Sequence, residues 1–292
     1  MFSEITTMSD TAVVLGTAQD GGVPQAGCGC GMCERARGAA GFVRRPSCLG
    51  LIDGETGSRW IIDATPQFPS QLSDLSRINE GTESGPPEGI LLTHAHVGHY
   101  AGLLHLGQEV MCSHEVPVWV MPRMAEFLEK HEPWASLVAR RHVILKELSP
   151  KCPVTLGERI TVRPLPVWHR DELSETVAFE IAGVSRRILW LPDIDDWEGG
   201  LADWVAGVDV AWLDGTFYSD SELSGRQLDQ IPHPRISEHL AEYASLANES
   251  GVDVRLIHLN HSNPACDPDS PEARRIADAG VRVASEGEYV EL

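Results

Sequence analysis

Three histidines fall within six residues in His94-Ala95-His96-Val97-Gly98-His99, directly after the apolar run Ile90-Leu91-Leu92. An apolar run of strand length that meets a glycine delivers these imidazoles to a loop at a strand end, where metal sites are commonly built. Neutral imidazole is the commonest metal ligand, and alternate residues of an extended segment project to one side. His94 and His96 can therefore converge on one ion, with His99 approaching from the next turn. The same arrangement recurs downstream: Val167 precedes His169, Leu191 precedes Asp193, and Ile257 precedes His258. A single strand-end histidine is usually a hydrogen-bonded loop residue, but four such ends delivering His, His, Asp and His form a metal-binding pattern. A second cluster is Cys28-Gly29-Cys30-Gly31-Met32-Cys33. Its three sulfurs can face one point, yet a closed structural zinc site needs four ligands, so the fourth must come from elsewhere.

These side chains need strands and short loops to hold them. Apolar runs and turn residues predict strands at 11–17, 116–121, 140–145, 154–156, 160–164, 208–213 and 254–257, with a closing strand at 281–284. Hairpins are expected from 47–52 with 59–62 and from 176–181 with 187–191, and Asp63 ends the first of them. Helices are expected at 34–40, 66–78, 102–106, 122–130, 236–248 and 271–279, with a solvated loop at 79–87. The eight tryptophans, Trp168 beside His169 and Trp197 after Asp193 among them, read as core residues. His105, His114, His131, His142, His233 and His239 read as surface or structural. His233 and Arg235 lie near enough to the 214–216 loop to contact a substrate.

With 292 residues, 42% hydrophobic and 23% charged, the chain can bury a large core, and one domain over residues 1–292 is expected. A formal net charge of -20 argues against a nucleic-acid backbone or an anionic membrane surface as a generic partner, since both would be repelled. No apolar run approaches bilayer-spanning length, and the N-terminus lacks a basic region followed by an apolar segment, so a cytoplasmic location is expected. The cysteine count is seven, an odd number, and the crowded spacing at 28–33 suits thiolate ligation better than a disulfide framework. Cys48, Cys112, Cys152 and Cys266 read as reduced thiols.

The strand-end ligands resemble the metallo-β-lactamase family, whose α/β fold is an αββα sandwich with metal ligands on loops along one edge of its two sheets. The family motif is His-x-His-x-Asp-His, followed by a lone His, a bridging Asp and a final His. The resemblance implies that His94, His96 and His169 serve a first metal position, Asp193 bridges, and His99 with His258 serve a second. It implies catalytic roles for Asp193 and His169, and a supporting role for Asp63, which matches the family's early strand-end aspartate. Here the chain departs from the motif, because Gly98 stands at the aspartate position and offers no side-chain donor. The expectation is one firmly held metal, zinc or iron(II), and a second that is weak or absent. Gly98→Asp is then expected to recruit a second ion. Tyr100, or a water held by Asp63, would be the substitute donor to look for.

Three further stretches look like the pyrroloquinoline quinone biosynthesis protein B family: Gly22-Val23-Pro24-Gln25 with the cysteine cluster, residues 214–223 (DGTFYSDSEL), and residues 257–264 (IHLNHSNP). The related phosphonate-pathway phosphodiesterase subgroup shares the cysteine cluster and the two histidines three apart. In that subgroup the cysteines and the second histidine hold a structural zinc, which here implies Cys28, Cys30, Cys33 and His261. The resemblance implies either pyrroloquinoline quinone biosynthesis, with a metal-activated water or an iron-dependent oxygenation of a peptide-derived substrate, or a metal-dependent phosphodiesterase or esterase. A carrier that kept the fold and lost the chemistry is the third reading, resting on Gly98. A small-molecule or peptide-derived substrate is the expected partner, with a homodimer admitted. No substrate-binding residue is legible.

Overall fold

The computed structural model describes residues 9–78, 85–197, 199–223 and 231–292. Fourteen strands among them form two seven-stranded sheets. The first contains β1 (Thr11–Gly16), β2 (Cys48–Ile52), β3 (Arg59–Ile62), β4 (Gly89–Leu91), β5 (Val116–Val120), β6 (Val143–Glu147) and β14 (Tyr289–Glu291), in the order β14-β1-β2-β3-β4-β5-β6. The second contains β7 (Val154–Leu156), β8 (Ile160–Val167), β9 (Thr176–Ala182), β10 (Arg187–Leu191), β11 (Val210–Asp214), β12 (Asp253–Ile257) and β13 (Arg282–Val283), in the order β13-β12-β11-β10-β9-β8-β7.

Strand alternation explains the layering. Ala12 and Val14 face the second sheet, in a core with Leu49, Phe179, Trp190 and Trp212, whereas Val13 and Leu15 face outward under the helix Phe68–Ile78. Because helices cover the outer faces, these strands are buried on both sides and read as unbroken apolar runs. The helix Ile236–Asn248 covers the second sheet, setting Tyr243 and Leu246 against Leu213 and Leu256. The result is the αββα sandwich.

Strand direction decides where the site sits. β3 through β6 are parallel, and β10 through β13 are parallel. β1 and β8 each reach a parallel strand through two antiparallel pairings, so they point the same way as β3 and β10. Hence the C-terminal ends of β1, β3 and β4 lie together at one edge, and those of β8, β10, β11 and β12 lie together at one edge, as ligand-bearing ends do in parallel sheets.

Several expected bounds shift for identifiable reasons. The first helix spans Gly31–Gly38, and the 101–106 segment is a 3₁₀ turn behind a single α-turn at Val97–Tyr100. β6 begins at Val143 because an unexpected helix, Trp134–Ala139, runs up to Arg140, and Arg141 takes a left-handed φ of 58°. β8 continues past Pro164 and Pro166 to Val167; its β7 partner ends opposite Ile160–Val162, so the prolines need donate no ladder bond on that side. The strand that closes the chain is β14 on β1, while β13 is a two-residue strand. Residues 79–84 of the expected 79–87 loop lie outside the described residues. Among the described residues, no helix is long and apolar enough to cross a membrane.

Candidate metal centre

The strand ends bring the expected residues together. Asp63 follows β3, Thr93 and His94 follow β4, His169 follows β8, Asp193 follows β10 and His258 follows β12. Asp63 and His258 hold left-handed φ values of 68° and 65°, an uncommon conformation for residues with a Cβ and one that clusters at functional sites. His94 Nε2 lies 2.8 Å from His96 Nδ1, and His169 Nε2 lies 3.3 Å from the same atom. Asp193 stands between the two halves of the cluster. Its Oδ1 is 3.5 Å from His169 Nε2, and its Oδ2 is 3.2 Å from both His99 Nε2 and His258 Nε2.

The outward nitrogens are already committed, which assigns the inward ones. His99 Nδ1 donates to Asp63 Oδ2 at 2.7 Å, and His169 Nδ1 donates to Asp195 Oδ1 at 2.8 Å. His94 Nδ1 donates to Thr93 Oγ1 at 2.9 Å, and that hydroxyl in turn donates to Asp63 at 3.0 Å. The second sheet repeats this relay: His258 Nδ1 donates to Thr216 Oγ1 at 2.9 Å, and Thr216 donates to Asp214 Oδ1 at 2.7 Å. Fixing Nδ1–H in this way leaves a lone pair on each Nε2 turned toward the centre, the arrangement found around metal-ligating histidines. Asp63 is fully buried behind Thr93 and His99, so it positions ligands and does not face a substrate.

Two atoms carry the fit to a metal. Asp193 Oδ2 and His258 Nε2 are buried and have no hydrogen-bond partner among the described residues, although they face each other at 3.2 Å. A buried acceptor left unpaired costs about 1–3 kcal/mol, and a cation between these atoms removes that cost. Protonation agrees. Burial, reinforced by neighbouring imidazole charge, holds His94 well below the ordinary histidine range, and burial pushes His96 down to about 4. Burial opposes ionisation of Asp193, but His258 and His169 override it and hold its carboxyl well below the usual range. Neutral imidazole and ionised carboxylate are the forms that ligate.

The second cluster also closes. Cys28, Cys30, Cys33 and His261 place their donor atoms within 4.8 Å of one another. His261 Nδ1 is 3.5 Å from the sulfurs of both Cys28 and Cys30. Burial raises the Cys30 thiol, but the backbone N–H of Cys33 and the His261 side chain outweigh it, leaving a pKa of about 6 that favours thiolate. The cluster ties the loop after β1 to the loop after β12. Two of the stretches singled out by sequence are interlocked beside it: Glu222 accepts from the N–H groups of Tyr218 and Ser219 and from Ser262, and Asn263 donates to the Gly215 carbonyl.

Sequence reasoning undervalued two residues. Of the surface and structural readings of His233 the surface one fails, and its expected place near the 214–216 loop is found: its side chain is buried, its Nδ1 donates to Asp214 Oδ2 at 2.7 Å, and its ring centroid lies 5.2 Å from that of His169 and 6.0 Å from that of His258. Asp20, four residues past the end of β1, lies with His99 and His258 in a further metal-capable group. It follows a strand end as His94 does, and that was the available signal. Arg235, in contrast, is committed to Asp220 and the His233 carbonyl. Of the other histidines, His142 is buried against the Ser113 carbonyl, and His131 bonds the Phe127 carbonyl. Trp168 is not core but 68% exposed; alternation along the end of β8 turns His169 inward and Trp168 outward. Trp197 is buried at 5% and donates to Tyr243. Tyr100 packs its ring on Phe127 and Trp134, within the outer core of the first sheet.

Comparison with known proteins agrees with this geometry. Residues 58–279 match the model of the beta-lactamase superfamily domain. Coenzyme PQQ synthesis protein B of Methylobacterium radiotolerans is 29% identical, the alignment covering 94% of this chain and 97% of that protein. Its counterpart from Klebsiella pneumoniae is 26% identical over 96% and 97%. Among solved structures, zinc-bound PqqB from Methylobacterium extorquens superposes with a TM-score of 0.82 at 22% identity, covering 97% of this chain and all of that one. A diphosphatase of the PhnP family superposes with a TM-score of 0.68 at 21% identity, covering 97% of both chains. These structures share the fold. A family match over most of the chain, on a sandwich whose strand ends gather histidines and a shared aspartate, means that the chain belongs to the beta-lactamase superfamily, a family of metal-dependent enzymes.

Proposed function

We propose that this protein is a metal-dependent enzyme of pyrroloquinoline quinone biosynthesis, with His94, His96, His169 and Asp193 holding the principal metal. His99 and His258 face an adjoining position across the same aspartate. The observation that carries the metal reading is the pair of buried, partnerless donor atoms on Asp193 and His258, surrounded by imidazoles whose other nitrogens are occupied. The pathway reading is supported by full-length relatives named for that synthesis at 26–29% identity.

A divalent ion bound there supplies a Lewis acid and lowers the pKa of a coordinated water, and iron in the same ligand set adds redox chemistry. The chain's own residues do the rest. Asp63 and Asp214, acting through Thr93 and Thr216, fix the rings of His94 and His258. Asp195 fixes that of His169. His233 is the proton-handling group, because Asp214 holds its Nδ1–H and leaves Nε2 for a reacting oxygen.

Production of pyrroloquinoline quinone in a bacterial strain that lacks protein B tests the pathway reading. The wild-type chain should restore the quinone, and His96→Ala should not. Failure of soluble, metal-loaded wild type to restore it would remove the pathway assignment. A second reading, metal-dependent hydrolysis of a phosphodiester or ester, is favoured by the His233–Asp214 pair, since an imidazole held this way suits protonation of a leaving group. Turnover of bis(p-nitrophenyl) phosphate that disappears on chelation and returns with metal would support it. No turnover by the loaded protein would count against it.

A further inference from the structure

Position 98 lacks the motif carboxylate, yet the structure contains one at the same place. Asp20 reaches in from the loop after β1, and its Oδ1 accepts the Gly98 N–H at 3.0 Å. The same oxygen lies 3.5 Å from His99 Nε2, and Asp20, His99 and His258 have donor atoms within 4.8 Å of one another. Two further observations point to a ligand between them: His258 Nε2 and Asp193 Oδ2 are buried without a hydrogen-bond partner among the described residues. Space is shared out accordingly. A Cβ at Gly98 would stand 2.1 Å from Asp20 Oδ1 and 2.5 Å from its Cα, so a side chain at 98 and this placement of Asp20 exclude each other.

We infer that Asp20 is the carboxylate ligand of the second metal position, completing a set of Asp20, His99, His258 and Asp193, and that Gly98 is small because Asp20 fills the space a side chain there would take. This rests on the metal-centre reading above. A carboxylate oxygen has two lone pairs, so Oδ1 can keep the Gly98 N–H and still ligate, while Oδ2 accepts from Gln19 Nε2 at 3.1 Å. The loop carrying Asp20 is pinned. Gln19 N–H donates to the Leu259 carbonyl and Leu259 N–H to the Thr17 carbonyl, each at 3.0 Å, so Asp20 is fixed against the strand end that delivers His258. The charge lost at position 98 is thereby returned from another loop, and the expected weak second site becomes one with two carboxylates and two imidazoles. Tyr100 and Asp63 are not the substitutes. Gly98→Asp alone is expected to clash instead of recruiting an ion.

Zinc titration of the chelator-stripped full chain, read by elemental analysis and calorimetry, tests this. Wild type should take three equivalents, one of them at the cysteine cluster. Asp20→Asn keeps an acceptor for the Gly98 N–H and removes the charge, so the fold is retained. It should lower the affinity of one equivalent by more than about 100-fold, beyond the range of a lost supporting contact. Three equivalents held with undiminished affinity by Asp20→Asn would overturn the inference, as would a wild type that takes only two. A wild type that takes one, at the cysteines alone, would instead overturn the metal-centre reading beneath it.

Discussion

At the scale of single residues, the centre is governed by what stands behind each ligand. Thr93 and Thr216 are one-donor hydroxyls that donate their hydrogen bond to an aspartate and can then only accept from His94 or His258. Thr93→Val keeps the shape and removes that acceptor, freeing the ring tautomer. Metal affinity at the His94 position should fall about 10–100-fold, measured by competition with a chelator, with no change at the cysteine cluster. His233 separates proton handling from metal binding. His233→Ala should lower kcat by about 10²–10⁴-fold while metal content stays at the wild-type value; loss of metal in that variant would make it a ligand instead. Histidines were legible in the sequence because there are only 12, so three within six residues after an apolar run carry information. Asp20 was not, because it is one of 43 acidic residues and sits in a glycine-rich loop whose path only the folded chain defines. His233 was underweighted for a related reason: no apolar run precedes it in the sequence, and its contact with Asp214 spans 19 residues.

At the scale of elements, the site depends on strand ends and on one clip. Strands with continuous apolar runs were read from the sequence almost to the residue, β2, β3 and β10 among them, because both faces are buried. The three-residue β14 was not. Tyr289 and Glu291 are exposed, and only its pairing with β1 makes it a strand. The short helices Trp134–Ala139 and Leu201–Trp204 lack the length that gives a helical period. The clip of Cys28, Cys30, Cys33 and His261 joins loops more than 200 residues apart in sequence, so its loss acts on the whole edge of the sandwich. Cys30→Ala should remove one equivalent of zinc and lower stability by several kcal/mol in denaturant unfolding. Unchanged zinc content and midpoint would exclude a structural site there. Between the sheets, Trp190 and Phe179 are fully buried, and Phe179→Ala should cost about 3–5 kcal/mol without altering metal stoichiometry.

At the scale of the whole molecule, the two sheets contribute separate halves of one centre: the first supplies Asp20, His94, His96 and His99, and the second supplies His169, Asp193 and His258. Metal binding therefore links the sheets across their shared edge, and stability should rise with metal as for any ligand specific to the native state. An excess of 100 times Kd adds about 2.7 kcal/mol, seen as a higher Tm that chelation reverses. The net charge of -20 works the same way, since cations at a carboxylate-bearing centre offset part of the self-repulsion of an acidic chain. The central claim is that Asp193 is shared by metals brought in from both sheets. Anomalous diffraction from crystals of the purified protein, recorded across the zinc and iron absorption edges, tests it most directly. The account predicts one scatterer among His94, His96, His169 and Asp193, a second among Asp20, His99, His258 and Asp193, and zinc at the cysteine cluster. A filled cysteine cluster with no scatterer beside Asp193 would contradict it.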